Sequence, residues 1–313
     1  MTQQYIRSCT LIVEGSSVVF TVSNLRVVFR TRQANLQTPA HADIRIYNLS
    51  AETANMVQKE FTKVTLSAGY VGNESIIFKG EIIQVRKGRE NPVDTFVHIL
   101  ATTADQAYNF AVVNKTLAAG HTFRDQVDVA LEAMKPYGVT AGYIADLGST
   151  KMPRGRTMFG MARDLLRTVA FSTASSWSIQ NNKLQIVKNT ETMPGQAIVL
   201  NSRTGMIGLP TQSIDGIEVR CLLNPEIVPG KRLQINQSSI QQAALSPGYT
   251  AAVTNSMIPT LADDGFYKVL VVEHHGDTRG GPWYTDSICI RADGTSIPIS
   301  LASQGINVIP EDR

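Results

Sequence analysis

His274-His275 with Asp277 is the densest grouping of metal-ligand side chains in the chain. The segment reads as a strand, and adjacent residues on a strand face opposite sides, so two imidazoles placed this way do not share one ion. His41, His98 and His121 are scattered, which leaves no metal-ligating set. Asp263-Asp264 could mimic a pair of catalytic acids, but consecutive aspartates before a glycine are ordinary turn chemistry. Glycoside hydrolysis needs two carboxylates from separate elements across a cleft, and nothing nominates a second one. Trp177 and Trp283 could serve as sugar platforms, yet both lie in alternating segments where core packing is the simpler role. Cys9, Cys221 and Cys289 are odd in number, far apart and set in apolar segments, a pattern of buried thiols rather than of disulfides or zinc. No nucleophile elbow, CxxC, HExxH, phosphate loop or dinucleotide-binding glycine pattern occurs. The expectation is therefore no catalytic, cofactor-binding or metal-binding residue, and no enzyme.

Composition narrows the class further. Among 313 residues, 43% are hydrophobic and 18% charged, which describes a folded chain long enough for two or three domains. The net charge of +3 is small, and no run of Lys or Arg exceeds two residues, so a concentrated nucleic-acid-binding face is not expected from local sequence. No apolar run approaches the roughly 18 residues of a membrane span, and the N-terminus lacks the apolar core of a signal peptide.

The elements are organised around Gly265 to Arg291. Phe266 to His274 and Trp283 to Ile290 are β-prone runs bridged by a Gly, Asp and Pro cluster, which predicts an antiparallel hairpin with a loop longer than two residues. Ile76 to Arg86 and Asp94 to Leu100 repeat that layout upstream with almost no identity. The two are read as the closing hairpins of two similar β-domains, with Gly88 and Gly276 placed in their loops. Before the first hairpin, Thr10–Glu14, Val18–Val22, Leu25–Arg30, Ala42–Tyr47 and Lys63–Tyr70 read as strands. Thr31 to Pro39 reads as an exposed polar excursion, and Ser50 caps a short helix through about Lys59.

Between the β-domains the period changes. Thr122 caps a helix with its apolar residues at i, i+4, i+7, i+8 and i+11, and Pro136 with Gly138 ends it. A glycine-rich connection leads to a second helix from about Thr157, with the stripe Met158, Ala162, Leu165, Leu166 and Val169. Asn181-Asn182 then predicts a tight hairpin turn between Ser176–Gln180 and Lys183–Lys188, because asparagine tolerates φ > 0. Strands return at Ile214–Leu223 and Lys231–Gln237. A polar stretch, 237–264, reads as a loop. The fold class expected is mainly β with an α/β insert: 1–103 a first β-domain, 104–204 the insert, 205–295 a second β-domain, and 296–313 an extended tail.

Four segments together resemble a known family. They are Ile44-Arg45-Ile46-Tyr47-Asn48-Leu49-Ser50; Ala68-Gly69-Tyr70 with Ile77 to Ile82; Gly216 to Pro225 with Pro229-Gly230; and the Phe266 to Thr285 hairpin. Over about residues 10–295 the chain resembles the baseplate hub of contractile-tailed bacteriophages, whose relatives form the hub part of type VI secretion spikes. The resemblance implies two tube-type β-barrels per chain and a homotrimer presenting six similar barrels. Such a ring joins a sixfold tail tube protein to a threefold central spike protein, contacts other baseplate proteins, and lets DNA pass transiently. It implies a virion protein of the tail baseplate, assembled in the host cytoplasm. The alternative is a tail-associated protein that binds or degrades cell-wall glycan.

Overall fold

The residues described by the computed structural model are 6–15, 19–59, 61–243, 258, 260–262 and 264–292. They form a mainly β chain. The first stretch contains β1 (Arg7–Gly15), β2 (Val19–Val22), β3 (Val27–Ala34), β4 (His41–Tyr47), helix α1 (Ala51–Lys59), β5 (Phe61–Tyr70), β6 (Asn73–Arg89) and β7 (Thr95–Thr102). The middle stretch contains α2 (Asp105–Phe110), β8 (Val112–Leu117), α3 (Phe123–Met134), β9 (Thr140–Ile144), β10 (Arg156–Met161), α4 (Ala162–Ser172), β11 (Ser175–Gln180) and β12 (Lys183–Lys188). The last contains β13 (Ile198–Leu200), β14 (Met206–Ser213), β15 (Gly216–Leu222), β16 (Arg232–Ile235), β17 (Phe266–Asp277) and β18 (Trp283–Arg291).

One sheet runs through the first and last stretches in the order β14-β15-β18-β17-β3-β4-β7-β6-β5-β1-β2, with β16 beside β17 and β13 beside β16. No closed barrel is formed by the pairing among the described residues. A repeat is nevertheless written into the order. In the first stretch five strands run β3-β4-β7-β6-β5, and in the last five run β14-β15-β18-β17-β16. Every neighbouring pair in both sets is antiparallel. Both closing hairpins also carry a one-residue bulge on their first strand, at Ile83 in β6 and at Leu270 in β17. Aligning the bulges places Asp43-Ile44-Arg45 of β4 on Glu218-Val219-Arg220 of β15, an acidic–apolar–Arg triplet in each.

The repeats meet where β3 pairs antiparallel with the C-terminal half of β17, from Val271 opposite Ala34 to Asp277 opposite Val28. Trp283, at the start of β18, reaches into the core of the first stretch, where its indole N–H donates to the Gly69 carbonyl at 3.2 Å. The middle stretch has its own core, built from α3, α4 and a three-stranded sheet β11-β12-β9. Its helix α3 begins with the reciprocal cap that Thr122 and Asp125 predict. Asn181 and Asn182 turn the β11–β12 hairpin at φ 50° and 62°.

Several sequence expectations change here. Thr31 to Pro39 is not an exposed excursion: β3 continues to Ala34, and Thr31, Gln33, Asn35 and Leu36 are buried. The amide nitrogens of Gln33 and Asn35 find partners distant in sequence, while Thr31 Oγ1 and Asn35 Oδ1 are buried with no hydrogen-bond partner among the described residues. Gln33 Nε2 donates to the Ile77 carbonyl and Asn181 Oδ1, and Asn35 Nδ2 donates to Ser176 Oγ at 2.8 Å. Gly88 and Gly276 lie in strands rather than loops, and neither has positive φ. Close ring packing requires them instead: a Cβ on Gly276 would stand 2.2 Å from Phe29 Cζ, and one on Gly88 2.5 Å from Phe96 Cζ. The second helix starts at Ala162, because Arg156 to Met161 pairs with β8 as a strand. Met158 and Ala162 keep an apolar spacing of four across that change, which is why periodicity alone read them as one helix. Strands β8, β9, β13 and β14 were not expected. The predicted loop 237–264 is described only in part, and the tail 296–313 lies outside the described residues.

Candidate functional site

The sheet has two unlike faces. Cross-strand partners share a face, and on one side Phe29, Ile44 and Ile99 stack in register and are buried. On the other side the register aligns charge. Arg86 of β6 is opposite His98 of β7, which is opposite Arg45 of β4. Arg30 of β3 is opposite Asp43 on one side and His275 on the other, and Arg32 is opposite Glu273. Glu273 is then opposite Asp286, and Asp286 opposite Arg220 of β15. Strand alternation of period two therefore collects these residues on one face.

Most of these charges are spent on each other. Glu273 takes Arg30 at 2.7 Å and Arg32 at 3.4 Å, and His275 Nε2 lies 3.4 Å from Glu273 and 3.6 Å from Asp286. Arg220 reaches Asp286 at 2.7 Å and lies over the Tyr284 ring. In the first repeat His98 bridges Asp43 and Arg86, each at 2.8 Å. The hydrogen bond with His275, followed by those from Arg30 and the charges of both arginines, holds the Glu273 carboxyl down at about 2 against the cost of its burial. The face is thus a charged strip in which Arg30, Arg32 and Arg220 are ion-paired, while Arg86 meets His98 and Arg45 lies over the Phe96 ring.

The residues singled out from sequence fall as follows. His274 and His275 point to opposite faces: His274 is buried with Nδ1 2.8 Å from Thr285 Oγ1, whereas His275 stacks on Tyr284. Asp277 is buried beside Arg26 at 2.8 Å. Burial pushes its carboxyl up, but hydrogen bonds from Arg26 and from the Arg279 and Gly280 backbone outweigh this and hold it below the usual range. It anchors the hairpin loop. His121 is buried against the Ala118 carbonyl, and His41 starts β4. Among the described residues no group of three or more His, Cys, Asp or Glu could hold a metal ion. Asp264 accepts from the Phe266 N–H, which is turn chemistry, and Asp263 lies outside the described residues. Trp177 and Trp283 are buried, Trp177 stacked on Tyr108 and Trp283 edge-on to Phe29. Neither is a sugar platform. Cys221 and Cys289 are buried, Cys9 is partly so, and burial pushes all three thiols up to about 12. Among the described residues no helix is long and apolar enough to cross a membrane.

Sequence reasoning missed the strip because its members lie on seven strands between positions 30 and 286. The available signal was the acidic–apolar–Arg triplet repeated at 43–45 and 218–220.

The framework is a repeated mainly β sheet with one apolar and one charged face. The chain belongs to the baseplate hub gp41 family, whose profile matches residues 6–250. It is a phage tail protein of the baseplate hub, placed in the virion tail. Its fold is similar to that of a tail protein from Neisseria meningitidis MC58, with 13% identity and TM-score 0.54, covering 94% of this chain and 99% of that one. It is also similar to the 43 kDa tail protein of prophage MuSo2 from Shewanella oneidensis, with 9% identity, TM-score 0.52, and coverage of 92% and 100%. A third similar structure is an E. coli type VI secretion component described as structurally similar to the T4 tail proteins gp27 and gp5. There identity is 13%, TM-score 0.52, and coverage 90% and 76%. No curated protein matches the sequence.

Proposed function

We propose that three copies close into a ring in which each chain supplies two quasi-equivalent tube-type β-barrel units, so that a threefold assembly presents six similar positions. The observation that carries this reading is the repeated strand order, β3-β4-β7-β6-β5 and β14-β15-β18-β17-β16, with a bulge at the same place in each closing hairpin. Such a ring joins a sixfold tail tube on one side to a threefold central spike on the other, with further baseplate proteins around it. The units are 1–103 and 205–295, with β13 from the 104–204 insert added to the second. The insert sits outside the ring, since helices within it would block the bore. The charged face lines the channel, through which DNA passes without being held. Assembly takes place in the host cytoplasm. The buried positions of Trp177 and Trp283 weigh against the alternative of a glycan-binding or glycan-degrading tail protein.

Size exclusion with light scattering tests the reading directly. The expected mass is three times the 34.1 kDa chain, and negative-stain images should show a ring with a central hole. A monomer that persists at high concentration and turns over peptidoglycan would overturn it.

A further inference from the structure

The two repeats keep one scaffold on the charged face and change its sign. Aligning the bulges at Ile83 and Leu270 places Asp43 on Glu218, Arg45 on Arg220, Arg86 on Glu273 and His98 on Asp286. The same alignment places Phe96 on Tyr284, and the equivalent arginines cover these rings, Arg45 at 5.8 Å and Arg220 at 4.3 Å. The acid, the arginine and the aromatic ring are thus common to both repeats. The other two positions invert, with Arg86 and His98 in the first repeat standing where Glu273 and Asp286 stand in the second. Those two carboxylates draw in cations, Arg220 onto Asp286 and Arg30 and Arg32 onto Glu273. In the first repeat Arg86 Nη2 donates to His98 Nδ1, since a guanidinium has no acceptor, and His98 Nε2 lies 2.8 Å from Asp43. Asp43 is therefore spent on His98. Arg45 and Arg86 are exposed, and neither is ion-paired with a carboxylate among the described residues.

We propose that Arg45 and Arg86 form a phosphate-contact row for double-stranded DNA, and that the equivalent Glu273 and Asp286 form a row that turns the same phosphates away. This inference rests on the ring reading and names the residues of the channel face that touch DNA. A guanidinium suits a phosphate because its planar fork offers parallel N–H donors, and Arg86 commits only one nitrogen to His98. In the second repeat the matching arginine is neutralised by Asp286, and Glu273 stands where the second guanidinium would be. Six quasi-equivalent positions around the bore then alternate between attraction and repulsion. No continuous basic track runs around the wall, so the duplex is centred by a few weak contacts and is not gripped along its length.

Fluorescence anisotropy of a labelled blunt duplex, titrated with the full chain from low salt upward, tests the row. Each phosphate contact contributes about 0.9 to the slope of log K against log salt. Arg45→Gln with Arg86→Gln should lower that slope by about 2 for each row engaged and weaken low-salt binding by about tenfold or more. Arg220→Gln removes a guanidinium already spent on Asp286 and should leave the slope unchanged. Arg45→Lys with Arg86→Lys disturbs the same hydrogen bonds but keeps the charge, and should keep the slope, which separates lost phosphate contacts from lost folding. Thermal unfolding midpoints are read for every variant. A slope that survives Arg45→Gln with Arg86→Gln, or no binding by the unaltered protein at low salt, would overturn the row. Where light scattering shows a trimer, either result leaves the ring standing. A monomer whose binding depends on Arg45 and Arg86 would overturn the ring and uphold the row.

Discussion

His274 is buried among the strands at the junction of the two repeats, and burial, followed by the neighbouring His275, pushes its imidazole from the ordinary 6.5 down to about 3. Between those values the unfolded chain takes a proton that the folded chain refuses, so stability falls as pH drops from about 6.5 toward about 3. Thermal unfolding followed across that window should show the decline, and His274→Gln should flatten it. Gly276 makes a second residue-scale point. It has ordinary backbone geometry and is glycine because the Phe29 ring lies where a side chain would begin. Gly276→Ala should cost about 1–3 kcal/mol through overpacking. Adding Phe29→Leu should recover part of that loss in a double-mutant cycle by urea denaturation; full additivity would mean that the ring contact is not the cause.

The β11–β12 turn does two jobs. Its φ values need residues that tolerate the left-handed region, and its first side chain docks the middle stretch onto the first. Asn181 Oδ1 accepts from the Lys79 N–H at 3.1 Å and from Gln33 Nε2 at 3.2 Å. Glycine at 181 would keep the turn and delete only the docking, since it adopts positive φ without steric cost. Asn181→Gly should therefore lower stability by about 1–2 kcal/mol, the value of a pair of partly buried hydrogen bonds. It should also speed amide exchange at Lys79 while leaving the α3 and α4 amides unchanged. Loss of protection in α3 and α4 would show that the turn, rather than the docking, had failed.

Across the whole molecule the relevant quantity is how many arginines on the proposed channel face are free to hold phosphate. Arg30, Arg32 and Arg220 are committed to Glu273 or Asp286, whereas Arg86 meets His98 and Arg45 lies over the Phe96 ring. Each phosphate contact adds a salt-dependent term to affinity, so pairing three of the five arginines with carboxylates lowers that sum. DNA binding at physiological salt should be independent of sequence and no tighter than about 10⁻⁶ M, the tight end of ordinary non-specific binding. Glu273→Gln with Asp286→Asn releases the arginines and should tighten binding and steepen its salt slope, as read by fluorescence anisotropy. Nanomolar binding by the unaltered protein would be inconsistent with a wall that DNA slides along.

The sequence alone determined what is local. The Thr122–Asp125 cap, the Asn181-Asn182 turn, the strand alternation that separates His274 from His275, and both closing hairpins each depend on residues a few positions apart. Their physical signals, hydrogen-bonding reach, φ tolerance and period two, are complete within a short window. The tertiary structure decided whatever depended on a distant partner. Thr31 to Asn35 look like solvent-facing residues until β17 pairs with them and Ile77 and Ser176 accept from the Gln33 and Asn35 amides. Arg156 to Met161 could have been helix or strand until β8 offered a ladder. Gly276 could have been a turn residue until Phe29 was laid across it. The charged strip exists only because strand register brings residues 30, 86, 220, 273 and 286 to one face. That register is set by hydrophobic pairing on the opposite side of the same strands.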